Sequence, residues 1–479
     1  MKRVHLVSVE DGHPEDHLII LAEKDQLNIL EAILSPEEYA FLTRTAELEI
    51  HNFFFPRAHG ALALRILKPE KNEDQALEAA RLSGNELLRE IRQYKIDAVC
   101  IRNICKKNLT LAFAEGLALG SYQYVKHLSK PNPKEKPLRE IKIEAAAASK
   151  ADVEDLNGLL SAVFDTRDLV NEPFSHQSST QFAESIEEMG RTYGFQVEIM
   201  GREKLESLKM GGLLSVSRAS EVPPQFCTIE WVSDHPLNAK PIVLVGKGVV
   251  YDTGGLSLKP SEGMDYMKCD MAGAAAVVGV IAAAARNKMP LHLIGLLPIT
   301  DNLVGNRAFS PGDVITMYSG KTVEVVNTDA EGRLILADAL HYAKKYKPEL
   351  VIDIATLTGA AVRVLGTQAT TYMGTASKKI KRSLEDSGMA THERVWELPL
   401  FKEYGEELKS NVADLKNLGS ANAGAITAGK FLENFIDYPW LHLDIAGPAY
   451  LRIANGYRTK EGTAVGVRLL YDFLKKYVR

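Results

Sequence analysis

The chain has 479 residues, 46% of them hydrophobic and 25% charged, an ordinary balance for a globular protein with room for two or three domains. That balance excludes disordered and fibrous classes. Lys and Arg number 57 against 62 Asp and Glu, a net charge of −5, so no global basic field is present to hold nucleic acid or an anionic membrane.

The N-terminal stretch, MKRVHLVSVEDGHPED, is interrupted by His5 and closed by acids, and so lacks the apolar centre of a signal peptide. Short β-rich runs at 3–9, 17–22, 49–55 and 61–67 alternate with a helical pattern over 75–94. A Lys/Pro cluster at 130–137 cannot continue a helix and reads as an exposed connection. A strand at 140–144 follows. Residues 145–169 then place Val153, Leu156, Leu159, Leu160 and Val163 at helical spacing, a long connecting helix that Pro173 ends.

Beyond it the pattern alternates: strand 241–245, helix 271–286, strand 291–299, a hairpin around Ser319-Gly320-Lys321, helix 333–345 and strand 350–354. Run 271–285 is too short for a membrane span and reads as a buried helix. The charge run 378–382 reads as solvated surface. The expected fold class is α/β, with a smaller N-terminal α/β domain (1–150), a connecting helix (151–171) and a larger α/β domain (172–479). The larger domain should carry a mostly parallel central sheet flanked by helices. Four cysteines without a C-x-x-C pair read as free thiols in a reducing cytoplasm.

Familiar signatures fail on inspection. Gly246 and Gly248 lack the third glycine of a dinucleotide fingerprint, where Tyr251 stands, and Ile315 stands where a phosphate loop ending in Gly320-Lys321-Thr322 needs its first glycine. His392-Glu393 lacks the second histidine of a zincin helix, and no G-x-S-x-G elbow occurs.

What stands out is a set of acids at the ends of core-like elements. Asp252 precedes Gly254-Gly255, Asp270 precedes the Ala-rich helix, and Asp329 and Glu331 flank Ala330. If the segment is extended, positions 329, 331 and 333 project to one side. Each acid alone reads as a cap or a turn residue. Together at one sheet edge they would repel one another unless cations compensated, and two divalent ions would balance four carboxylates. Lys247, Lys259, Lys268 and Arg333 are then left for substrate or transition-state charge. Spacing alone leaves both readings open: scattered caps and salt bridges, or a two-metal hydrolytic site.

At these residues the chain resembles the leucyl (cytosol) aminopeptidase family of dimetal exopeptidases. The resemblance is carried by Asn327-Thr328-Asp329-Ala330-Glu331-Gly332-Arg333-Leu334, by Val245 through Gly255 to Lys259, and by Met267-Lys268-Cys269-Asp270-Met271. Weaker matches cover Arg167 to Pro173, Ala355 to Ala360 and Trp440 to Asp444, in order, over 165–479. Departures are mild: Tyr251-Asp252-Thr253 for the usual Phe-Asp-Ser, Ala272 for Gly, no glycine in 215–220, and Phe174-Ser175-His176 for Pro-Asn.

The resemblance implies a role for each matching residue. Asp252 and Glu331 would bridge two divalent ions, Zn or Mn. Lys247 and Asp270 would complete the tighter site, and Asp329 the more exchangeable one. Lys259 would stabilise the oxyanion formed when the bridging hydroxide attacks the scissile carbonyl, and Arg333 would anchor a bicarbonate acting as general base. Met267, Thr356, Leu357, Gly359 and Ala446 would line an apolar pocket for the released residue. The implied protein is a cytoplasmic, homohexameric aminopeptidase acting on peptides with Leu-like N-termini. A dipeptidase or Cys-Gly-cleaving enzyme would carry the same motifs. A nucleic-acid binder with incidental peptidase activity is disfavoured by the −5 charge.

Overall fold

The computed structural model describes residues 3–13, 15–46, 50–130 and 138–477. Residues 131–137 of the Lys/Pro cluster and residue 49 of the expected strand 49–55 lie outside them. The chain forms two compact units, Met1–Ser161 with Ile453–Lys460, and Ala162–Arg452 with Glu461–Arg479. The division falls inside the long helix α1 (Lys150–Asn171).

The first unit is built on a six-stranded sheet in the order His5–Val9, Glu140–Glu144, Ala98–Asn103, Leu18–Glu23, Ala61–Leu67, Asn52–Pro56. All neighbours are parallel except the last pair. Ile20, Leu62, Leu64 and Phe53 fill one face of it. The single helical run expected over 75–94 is two helices, Glu73–Glu86 and Leu88–Gln93.

The second unit carries a nine-stranded sheet. Its strands in chain order are β1 (Gln196–Met200), β2 (Gln225–Val232), β3 (Ile242–Gly246), β4 (Gly248–Asp252), β5 (His292–Asn302), β6 (Leu350–Ala355), β7 (Thr370–Gly374), β8 (Val395–Glu397) and β9 (Trp440–Asp444). The order across the sheet is β8-β7-β9-β6-β3-β5-β2-β1, with β4 paired to β5. The centre, β9-β6-β3-β5-β4, is parallel, and antiparallel pairs occur towards the edges. β3 reads Ile-Val-Leu-Val-Gly and is buried throughout, as a central strand covered on both faces should be. Val243, Val245, Leu296, Leu336, Leu340 and Trp440 belong to one continuous core.

Helix α2 (Ala272–Arg286) crosses this sheet buried almost end to end. It forms most of Met267–Arg286, the one described segment long and apolar enough to cross a membrane, and it is core here. The crossing is close: a Cβ on Gly273 would stand 2.1 Å from the Ile354 carbonyl oxygen, and one on Gly246 2.5 Å from the Ala274 Cα. Small residues at this crossing let the helix sit against the strands that carry the site.

Three local differences from the sequence reading matter below. The strand expected at 241–245 is followed, after a break at Lys247, by a second strand: β3 and β4 pair with successive parts of β5, and Lys247 lies between them. Asp270 does not cap the Ala-rich helix; it lies within a 3-10 turn, Met267–Met271, and Met271 is the capping residue. Residues 329–333 are not extended. Glu331 has helical dihedrals and Arg333 sits in the first turn of α3 (Gly332–Ala343). The hairpin does form, from Val314–Thr316 and Thr322–Glu324 around Gly320 at φ +85°. All four cysteines are free thiols.

The Gly273→Ala variant forces backbone apart at the crossing, so its unfolding midpoint in denaturant should fall by the equivalent of about 1–3 kcal/mol, the usual cost of overpacking a core.

Candidate metal centre

Lys247 projects from the break between β3 and β4. Its amide donates to Ile354 O at 3.2 Å, and its own carbonyl accepts from Ala274 N at 2.9 Å, so backbone on both sides fixes the kink. Its Nζ lies 2.8 Å from Glu331 Oε1 and 2.8 Å from Asp270 Oδ2. Thr356 Oγ1 donates to Asp270 Oδ1 at 2.8 Å. The ammonium is buried against Gly332, where a Cβ would stand 2.5 Å from Lys247 Cε. Any side chain at 332 would push the lysine out of its place.

After β4 the chain turns through Gly254 (φ +85°) and Gly255 (φ +63°), conformations that favour glycine. The turn brings Lys259 back beside Asp252. Lys259 Nζ lies 2.7 Å from Asp252 Oδ2 and also pairs with Asp329. The other Asp252 oxygen, Oδ1, accepts from Gly254 N and Asn302 Nδ2, both at 2.8 Å.

Arg333 is only 4% exposed. Its Nη1 donates to Asn417 O at 2.8 Å, and its Nε has no hydrogen-bond partner. The Asn417 side chain clasps the 326–330 loop: Oδ1 accepts from Val326 N at 2.8 Å, and Nδ2 donates to Asn327 O at 2.7 Å. Asp444 braces the opposite wall by accepting from Leu357 N at 3.0 Å and Thr358 Oγ1 at 2.7 Å.

Twelve of the thirteen residues singled out from the sequence line one cavity of about 610 Å³. They are Lys247, Asp252, Lys259, Met267, Asp270, Asp329, Glu331, Arg333, Thr356, Leu357, Gly359 and Ala446. Oxygens of Asp252, Asp329 and Glu331 lie within 4.8 Å of one another. Lys268 is not among the lining residues; its Nζ donates to Asn171 O at 2.7 Å. Asn302, Asn417 and the bracing function of Asp444 were not read from the sequence. Asn302 left a trace, a polar residue closing an apolar strand. Asn417 left none, because the backbone it clasps is about 90 residues away.

The charges are under-compensated. Burial raises the Asp252 carboxyl well above its usual range, and Glu331 and Asp270 push it the same way. Burial likewise lifts Asp270 to about 6 against the pull of Lys247, and raises Asp329. Burial would raise Glu331 too, but Lys247 and Lys259 outweigh it and lower that group. Both lysines are held charged, since their acidic neighbours overcome the burial penalty. Burial lowers Arg333 to about 10, which leaves it protonated at neutral pH.

Glu331 Oε2 is buried with no hydrogen-bond partner. An orphaned carboxylate oxygen amid raised carboxyls, with an all-oxygen set plus one amine, fits divalent cations of the Zn, Mn, Co or Mg kind.

The comparisons with known proteins show the family. The profile of the cytosol aminopeptidase family's catalytic domain matches residues 165–471. A probable cytosol aminopeptidase of Chlorobium limicola is 42% identical over 443 residues, covering 88% of this chain and 83% of that one. The chain belongs to the cytosol aminopeptidase family. As a member it is a metal-dependent aminopeptidase, a hydrolase. A mutant of tomato leucine aminopeptidase shares the fold with a TM-score of 0.87 and 26% identity, over 99% of this chain and 97% of that one. The bottromycin maturation enzyme BotP in complex with Mn gives 0.85 and 29%, over 97% and 100%. In this family member the α/β class, with N-terminal and catalytic domains, is as expected.

Carboxylates must shed their protons to bind a cation. Divalent-ion affinity, measured by calorimetric titration, should therefore weaken as pH falls through about 6. Affinity that stays constant from about pH 5 to about pH 8 would contradict the assignment of Asp270.

Proposed function

We propose that this cavity is a two-metal aminopeptidase centre releasing Leu-like N-terminal residues from peptides. One observation carries the reading: four carboxylates and two lysines from three separate segments converge on one cavity, with a buried Glu331 oxygen left unpaired. Asp252 and Glu331 would hold both ions, Lys247 and Asp270 one of them, and Asp329 the other, with Zn or Mn as the metal. The Mn complex of BotP supports Mn as a candidate. When bound, the ions would polarise the scissile carbonyl, lower the pKa of a water and retain a free α-amine, which limits attack to N-terminal residues.

The protein's own groups do the rest. Lys247 must give up a proton to act as a ligand, and neighbouring divalent charge favours that loss. Lys259 stays an ammonium at the cavity wall and stabilises negative charge developing on the carbonyl oxygen. Arg333 has no proton to give up at neutral pH, so it is no base. Its buried guanidinium, with Nε unpartnered, suits an anion, and bicarbonate held there would carry the proton from water to the leaving amine. Met267, Leu357 and Ala446, with the slim Thr356 and Gly359, give the released side chain an apolar pocket. The relatives' name supports a cytoplasmic location.

Lys259→Ala and Glu331→Ala should each lose about 100-fold or more in turnover of a leucine anilide, with bound metal falling chiefly in Glu331→Ala. Near-parental rates in either variant would overturn the assignment. A homohexamer is the proposed assembly, so light scattering should give six times the 52.8 kDa chain mass. A monomeric mass in dilute solution would refute that assembly.

A further inference from the structure

Four cations line the cavity, and three are committed. Lys247 and Lys259 are ion-paired with its acids, and Arg333 donates to Asn417 O. The fourth, Arg363, is exposed at the wall, and among the described residues no carboxylate is paired with it.

Arg363 lies on a short helix, α4 (Gly359–Leu365), whose first residue is also part of the wall. Its Nη1 is 4.0 Å from where a Cβ on Gly359 would stand, so the side chain folds back along the helix over the glycine four positions earlier. The missing side chain at 359 leaves room beneath the guanidinium. A planar guanidinium with free donors matches a carboxylate better than any other common peptide group. The site's own four acids cannot serve, because each already faces a lysine.

We propose that Arg363 is a carboxylate-binding subsite of this cavity, one that selects peptides bringing an acid to the wall beside Gly359. Two parts of a peptide carry that chemistry: an Asp or Glu side chain on the released residue, and the C-terminal carboxylate of a dipeptide. Proximity to Gly359 favours the first. The inference rests on the aminopeptidase reading of the cavity and adds an acidic class to its otherwise apolar pocket.

The test compares the metal-loaded parent with Arg363→Gln and Arg363→Lys on two substrate pairs. Glutamyl against glutaminyl anilide reads the side chain, and Leu-Gly against leucyl-glycinamide reads the terminal carboxylate. In the favoured case Arg363→Gln lowers the glutamyl-to-glutaminyl ratio of kcat/KM by about threefold to fivefold at low salt, the size expected of an exposed ion pair. Arg363→Lys keeps part of the preference, and added salt erodes it. A drop confined to the dipeptide pair supports the subsite with the terminal carboxylate as its ligand. Both ratios unchanged in Arg363→Gln overturn the inference.

A binding arm separates the two readings. If the parent hydrolyses none of the four substrates, the aminopeptidase reading fails, and calorimetry with glutamate and glutamine still decides the subsite. A glutamate preference abolished by Arg363→Gln supports it; equal affinities in the parent refute it.

Discussion

The catalytic unit is organised around a problem of charge. Asp252, Asp270 and Glu331 are buried, Asp329 stands beside them, and acids so close cannot all ionise without cations. Two lysines answer in part, Lys247 between Asp270 and Glu331, and Lys259 between Asp252 and Asp329. The carboxyl groups of Asp252, Asp270 and Asp329 remain raised, so the compensation is incomplete. A cluster of this kind is a poor device for stability, since apolar side chains would fill the space more favourably. Its persistence in the core makes sense as preparation for added positive charge.

The backbone meets this demand with a few specific breaks in otherwise regular structure. Lys247 reaches the acids because the strand stops there and resumes as β4, and Gly332 leaves the space its methylenes occupy. Asp252 and Lys259 face each other because two glycines with positive φ reverse the chain between them. Asn417 holds one wall through backbone amides and carbonyls, and Asp444 holds the other through the Leu357 amide and the Thr358 hydroxyl, so the wall geometry does not rest on the four clustered acids.

Much of this was legible in the sequence, for identifiable reasons. The central strands read as apolar runs because both their faces are buried, and the acid-bearing turns read clearly because their glycines and acids stand close together in the chain. The error over residues 329–333 came from applying strand alternation to a segment that turns into a helix. Lys268, an equally conspicuous cation, is drawn away to Asn171 O, which no local pattern announces. Asn417 and Arg363 were missed for opposite reasons. Asn417 works across a long sequence separation, whereas Arg363 has the local context of any exposed arginine and gains meaning only from the cavity beside it.

The clasp on Arg333 also has a bearing on how the protein is made. Its partner carbonyl belongs to a residue 84 positions further along the chain. A ribosome that has just completed the Asp329–Arg333 turn must still supply strands β6, β7 and β8 before Asn417 exists. Until then the guanidinium lacks its anchor and the turn its lock, so a nascent or truncated polypeptide ending short of Asn417 carries the acids without the means to hold them in register. The clasp that completes this centre is therefore a late arrival in biosynthesis, in place only once Asn417 has been added.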